Sequence, residues 1–143
     1  MRFKALMLTL VLLLPGCLDS EGEEIRFNGR NLEGSDVYMF TLEDSTGPLW
    51  NLTEQEGKVV VLAFIFTRCD NTCPVTSQNL KVVYESLTED ELAKVSFVSV
   101  TVDWRHDSPS ELNNWSDRMG YDWPHLTGAK QALDPVYENY GVF

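Results

Sequence analysis

The chain has few residues of the kinds that hold metals or carry redox chemistry: three cysteines and two histidines among 143 residues. It is also short of positive charge. Eleven Lys and Arg stand against 22 Asp and Glu, a formal charge of −11. The basic residues are scattered singly and form no stripe, which excludes a nucleic-acid partner. No internal repeat and no long low-complexity tract is present. No apolar run reaches the ~20 residues needed to cross a bilayer. A structural zinc site wants four protein ligands, and the only residues that could complete one, His106 and His125, stand at no metal-ligand spacing. The C-x-x-C pair of an ordinary thioredoxin reductant is absent as well.

What is there begins with a leader. Arg2 and Lys4 precede an apolar stretch, Ala5 to Leu14, broken only by Thr9 and followed by Pro15-Gly16-Cys17. A positive start, a short apolar run and a small residue at the cut describe a secretory signal peptide over residues 1–16. A single uncleaved anchor is the plainer alternative. Leu14-Pro15-Gly16-Cys17 resembles the lipobox of prokaryotic lipoproteins, with Pro15 where Ala or Ser is usual. The resemblance implies that Cys17 carries a lipid and anchors the protein to the membrane without spanning it. Ordinary cleavage with Cys17 incidental is the bland reading. Cleavage leaves nine basic against 22 acidic residues, a formal charge of −13. Such a chain is not drawn to an anionic bilayer by charge, so the lipid has to hold it. Residues 17–35, with the acidic stretch D-S-E-G-E-E, read as a tether. Residues 36–143 read as one domain.

Within that domain, Val37 to Leu42 and Leu49 to Leu52 flank the turn cluster Asp44-Ser45-Thr46-Gly47-Pro48, which predicts an N-terminal β-hairpin. Val59 to Phe66 is eight apolar residues without alternation, the pattern of a strand buried on both faces. Pro74 suits the first turn of a helix over 74–87, with Val75, Leu80, Val83 and Leu87 as its apolar stripe. Val95 to Val102 predicts a second strand. Ser108, Pro109 and Glu111 have the spacing of a capping box opening a helix faced by Leu112, Trp115 and Met119 and stopped by Gly120. A short extended piece at Trp123–Leu126 and a helix over 131–140 complete the chain. The order implies an α/β fold, a parallel or mixed sheet flanked by helices.

Cys69 and Cys73 remain once Cys17 is set aside. They sit in a loop at the carboxyl end of the strand expected to be most buried, directly before a helix N-terminus. Open α/β sheets place their chemistry there. Three residues lie between them. That spacing lets the sulfurs share one metal or close a disulfide. Cys73, at the helix start, is expected to be the favoured thiolate, with Arg68 adding to the effect if it points inward. Two thiolates suit the soft copper(I) ion. A plain stabilising disulfide is the rival, but so short a loop removes little chain entropy.

F-T-R-C-D-N-T-C-P (Phe66 to Pro74), preceded by G-K-V-V-V-L-A-F-I (Gly57 to Ile65), is similar to the C-x-x-x-C-P motif of the SCO/SenC family of copper chaperones. V-T-V-D-W-R-H-D-S-P (Val100 to Pro109) resembles the family's V-D-P-x-R-D-T-P segment, with Trp104 where Pro is usual. Trp123, Leu126-Thr127-Gly128 and Tyr140-Gly141-Val142 fall where the family has similar residues. The resemblance covers roughly residues 36 to 143. It implies a thioredoxin-like fold on the outer face of the cytoplasmic membrane and a copper ion held by Cys69 and Cys73. The implied partners are a copper donor protein and the cytochrome c oxidase subunit bearing the dinuclear copper centre. Some members act mainly as thiol-disulfide reductants, which makes membrane-anchored oxidoreductase chemistry by the same CxxxC pair the alternative.

The family also uses one histidine, in a segment beyond Tyr-Gly-Val, together with further strands and a C-terminal helix. Phe143 follows Val142 directly, so the expectation is an incomplete domain whose Val59–Phe66 strand has an open edge. His106 and His125 do not match the ligand position and are expected on the surface. Asp103 is expected either to tune the thiols or orient Arg105, or to share with Asp107 in capping and salt bridging. Trp104, Trp115 and Trp123 are expected as core and rim aromatics. A peroxiredoxin-like peroxidase is disfavoured, since neither Cys69 nor Cys73 has a Thr three residues before it.

Overall fold

The computed structural model describes residues 36–142. The expected signal peptide and tether, with Cys17, lie outside the described residues. Five strands form one sheet in the order β2-β1-β5-β4-β3. They are β1 (Thr41–Asp44), β2 (Leu49–Asn51), β3 (Val59–Ile65), β4 (Val95–Thr101) and β5 (His125–Thr127). β3, β4 and β5 run parallel, while β1 is antiparallel to both β5 and β2. The sheet is therefore mixed. The helices are α1 (Thr72–Ser86), α2 (Glu89–Leu92), α3 (Pro109–Met119) and α4 (Lys130–Tyr140).

The hairpin forms as expected but starts four residues later than the apolar pattern suggested. The turn at its far end is fixed by a side-chain bond and a glycine. The Asp44 carboxylate accepts from the Thr46 N–H at 3.0 Å, and Gly47 takes φ +107°, which a side chain would oppose. Two short elements escape the apolar pattern because each rests on caps. Asn51 caps a 3-10 turn over Leu52–Gln55 through the Thr53 N–H, and Thr88 with Glu91 builds a capping box on α2. At α3, Ser108 Oγ accepts from the Glu111 N–H at 3.3 Å, which is half of the expected box, and Gly120 closes the helix at φ 66°.

Two apolar layers hold the sheet. One face of β4, Val98 and Val100, packs with Leu42, Trp50, Leu126 and the α4 residues Leu133, Val136 and Tyr137. Phe97 points the other way, with Ile65, Leu112, Trp115, Tyr121 and Trp123. That alternation is the period of two that a pleated strand imposes. The inner stripe of α1 differs from the expected one. Cys73, Leu80, Tyr84 and Leu87 pack on the second layer and Ser77 is fully buried, while Val75 and Val83 are exposed. Positions 73, 77, 80, 84 and 87 follow the helical period, and the valines fall off it.

The expectation of a β3 buried on both faces is not met. Of its seven residues only Ile65 is buried. β4 is the deeply buried strand. β3 is an edge strand among the described residues, paired only with β4, so one flank and part of each face stay open.

Candidate metal and thiol site

The site is assembled where the parallel pair β3–β4 ends. Ile65 and Thr101 are in register, so the loops that follow both strands leave the same edge side by side. Asp107 ties them together. It is fully buried, and its carboxylate accepts from the Thr67 N–H at 3.1 Å, from Thr67 Oγ1 at 2.6 Å and from Thr101 Oγ1 at 2.5 Å. Its carbonyl accepts from Thr127 Oγ1 at 2.9 Å. A buried carboxylate is tolerable only when its lone pairs are filled this way. The loop beginning at Thr67 is thereby pinned to β4 and β5 just before the first cysteine. The expected capping and ion-pair role for Asp107 gives way to this buried one.

Cys69 and Cys73 are both free thiols, partly buried and within hydrogen-bonding reach of each other. Asn71, at the N-cap of α1, makes no side-chain capping bond. The cap is sulfur instead, since Cys69 Sγ accepts from the Cys73 N–H at 3.2 Å. This reverses the expected asymmetry. The Cys73 side chain and the backbone N–H groups at the start of α1 hold the Cys69 thiol below its usual range. Cys73 lies on the inner stripe, and burial pushes its thiol up. The helix start therefore favours the thiolate of the residue preceding it, because that sulfur faces the open N–H groups.

Arg68 turns away from the thiols. Its guanidinium donates to Asp103 Oδ2 at 2.7 Å and lies 2.6 Å from His106 Nδ1, which in turn lies 2.8 Å from Asp103 Oδ1. These contacts hold the Asp103 carboxyl below its ordinary range, His106 contributing most. Asp103 thus engages Arg68, while Arg105 lies over the Trp104 ring at 5.1 Å. His106 is on the surface, as expected. His125 is not. It is 1% exposed, enclosed by Trp115, Tyr121 and Trp123, because the start of β5 runs under α3. Trp115 and Trp123 are core residues and Trp104 is partly buried. Thr67 and Thr101 are the site residues that sequence reasoning missed. Thr101 carried a signal: it shares the inner face of β4 with Phe97, and a polar side chain there needs a buried partner.

Among the described residues, no cluster of three or more His, Cys, Asp or Glu closes on one point. The thiol pair is a two-donor site. Two thiolates can bind a soft monovalent ion linearly, and the same sulfurs can exchange with a disulfide.

Residues 31–143 match the SCO1/SenC family. The apo Sco1 protein of Thermus thermophilus is 30% identical, with a TM-score of 0.72 covering 84% of this chain and 69% of that one. A SCO1/SenC family lipoprotein of Bacillus anthracis is 29% identical, with a TM-score of 0.60 over 73% of this chain and 62% of its own. Yeast Sco1, solved with copper bound, is 24% identical with a TM-score of 0.67 over 73% and 66%, and shares the fold. These likenesses make the mixed sheet the expected thioredoxin-like one. The chain spans about half the length of the curated relatives it matches.

Proposed function

Since the chain belongs to the SCO1/SenC family, we propose that it binds copper(I) through Cys69 and Cys73 and passes it on. The observation that carries this reading is the pair itself. Two free thiols lie within reach of each other, Cys69 on the loop pinned by Asp107 and Cys73 in the first turn of α1, and Cys69 is already biased toward thiolate. Sulfur of this kind selects copper(I) over the harder divalent ions. The recipient in this reading is the cytochrome c oxidase subunit bearing the dinuclear copper centre, supplied through a copper donor protein. Residues 1–16 are a signal peptide, and Cys17 is lipid-anchored on the outer face of the cytoplasmic membrane, with 17–35 as the tether. The lipobox-like Leu14-Pro15-Gly16-Cys17 supports the anchor. So does the lipoprotein among the structural relatives.

A copper(I) competition titration on the reduced protein tests the metal role. Binding at least a hundred-fold tighter than in Cys69→Ser/Cys73→Ser is expected, and equal binding would sink it. The anchor is tested by mass spectrometry of the membrane-extracted protein: a lipid mass on Cys17 is expected, and an unmodified residue there rejects it.

The opposed shifts of the two thiols favour a second reading, thiol-disulfide exchange. A partly exposed low-range thiolate at Cys69 attacks a substrate disulfide, and Cys73 then resolves the mixed disulfide. The pair gives up two electrons and two protons and the substrate leaves as a dithiol. Iodoacetamide labelling near pH 7 checks the order of reactivity: Cys69 is expected to label first, and faster labelling of Cys73 rejects the assignment.

A further inference from the structure

The end of the sheet away from the thiols keeps apolar side chains in the open. β3 and β4 run parallel, in register from Val59 and Val95 to Ile65 and Thr101. The cysteine loop follows Ile65, so Val59 stands about 20 Å from the start of that loop, at about 3.3 Å per residue. At this opposite end Val37 is 60% exposed, Met39 47% and Val59 65%. Val37 and Met39 form part of the wall of a cavity of about 370 Å³, together with Leu52, Val60, Leu62 and Tyr140. Val59 stands between Lys58 and Val60, which both line it, and Glu56 and Lys58 are its charged lining residues. Single exposed aliphatic residues need no account, but three of them around one apolar cavity mark an interaction face. The tether of residues 17–35 joins the domain here, since Asp36 directly precedes Val37.

We propose that this end of the domain sits on the bilayer to which Cys17 is anchored, with Val37, Met39 and Val59 in the acyl boundary and the cavity opening toward it. The seating rests on the proposed lipid at Cys17. That lipid holds the domain beside the membrane, because a flexible tether of this length spans only about 25 Å on average. A weak apolar preference then decides which face turns to the lipid, since the anchor already supplies the high local concentration. Charge does not decide it. Lys58 and Lys94 share this end with Glu56 and with the α2 acids Glu89, Asp90 and Glu91, because the Val59 N–H donates to the Lys94 carbonyl and the Lys94 N–H to the Glu91 carbonyl. An uncharged lipid surface therefore suits the face better than an anionic one. Seated this way, the domain turns the cysteine loop away from the bilayer, open to a protein in the aqueous phase.

The test uses the membrane-extracted full chain in nanodiscs of phosphatidylcholine that carry a doxyl-labelled lipid. The methyl resonances of Val37, Met39 and Val59 are expected to broaden. Those of Val75 and Met119, exposed on α1 and α3, should stay sharp. Val59→Asp should weaken the broadening at Val37 and Met39 about five-fold. Replacing part of the phosphatidylcholine by phosphatidylglycerol should weaken it too, and a gain there assigns the contact to charge and overturns the proposal. Equal broadening of both sets of methyls, or none, overturns it as well. So do resonance shifts at Val37 and Val59 that grow with protein concentration without lipid, which assign the face to a second copy of the chain. Mass spectrometry of the same sample separates a failed anchor from a wrong face. An unmodified Cys17 removes the anchor and the seating with it, whereas a lipid on Cys17 with equal broadening rejects the seating alone.

Discussion

β3 and β4 are paired residue for residue over seven positions, and both are rich in apolar side chains. Their surroundings nevertheless differ. β4 lies between two neighbours and under helices on both faces, and its last five residues are buried. Among the described residues, β3 has one neighbour and one buried residue. Burial here follows a strand's place in the sheet, and hydrophobicity alone does not report it. The division also separates tasks. The β4–β5 side carries the core, while the looser β3 edge carries the cysteine loop. On the proposed reading, a loop that takes up and releases an ion or a disulfide belongs on the less stable side.

The largest test of that division is a matched pair of truncations. Leu126→Ala, at a fully buried position of β5, is expected to cost about 3 kcal/mol by urea denaturation. Leu62→Ala on the part-exposed β3 should cost about 1 kcal/mol. Equal costs would break the comparison. Next comes the link between the two sides. Asp107→Asn keeps the shape of the side chain but cannot accept from Thr67 and Thr101 as the carboxylate does. A loss of about 2 kcal/mol is expected, with faster amide exchange at Thr67 and through the loop to Cys73.

Acid should weaken the β5 side in particular. Burial holds His125 at about 4, below the ordinary 6.5. The unfolded chain therefore takes up the proton first. The contribution is complete above pH 6.5 and declines as pH falls toward 4, amounting to a loss of about 2 kcal/mol by pH 5. Denaturation curves of wild type and His125→Gln across pH 4–7 check this: the slope should shrink in the variant. The smallest effect belongs to the exposed rim. Arg68→Ala removes a solvent-screened pair with Asp103 and should cost about 0.5 kcal/mol or less by the same denaturation assay.

Much of this was legible in the chain itself. Strong periodic or punctuated segments announced their elements: Val95–Val102, the Ser108-Pro109 start and Gly120. The cysteine loop could be placed because it lies between an apolar run that ends at Phe66 and the helix start that Pro74 marks. The thiol asymmetry could not, because it depends on which sulfur faces the open N–H groups of α1. His125 was misjudged for a related reason. Its polar neighbours in sequence suggest a surface, whereas its neighbours in space are Trp115, Tyr121 and Trp123. Arg68, Asp103 and His106 converge only because two loops leave adjacent strands at one edge, a fact of pairing rather than of pattern.

The central claim is that Cys69 and Cys73 together hold one copper(I) ion. Copper K-edge X-ray absorption on the reduced, copper-loaded protein tests it most directly. The account predicts one equivalent of copper(I) with two sulfur neighbours, and loss of that sulfur shell in Cys69→Ser/Cys73→Ser. A copper environment of oxygen and nitrogen alone, or a sulfur shell that survives the double substitution, would contradict it.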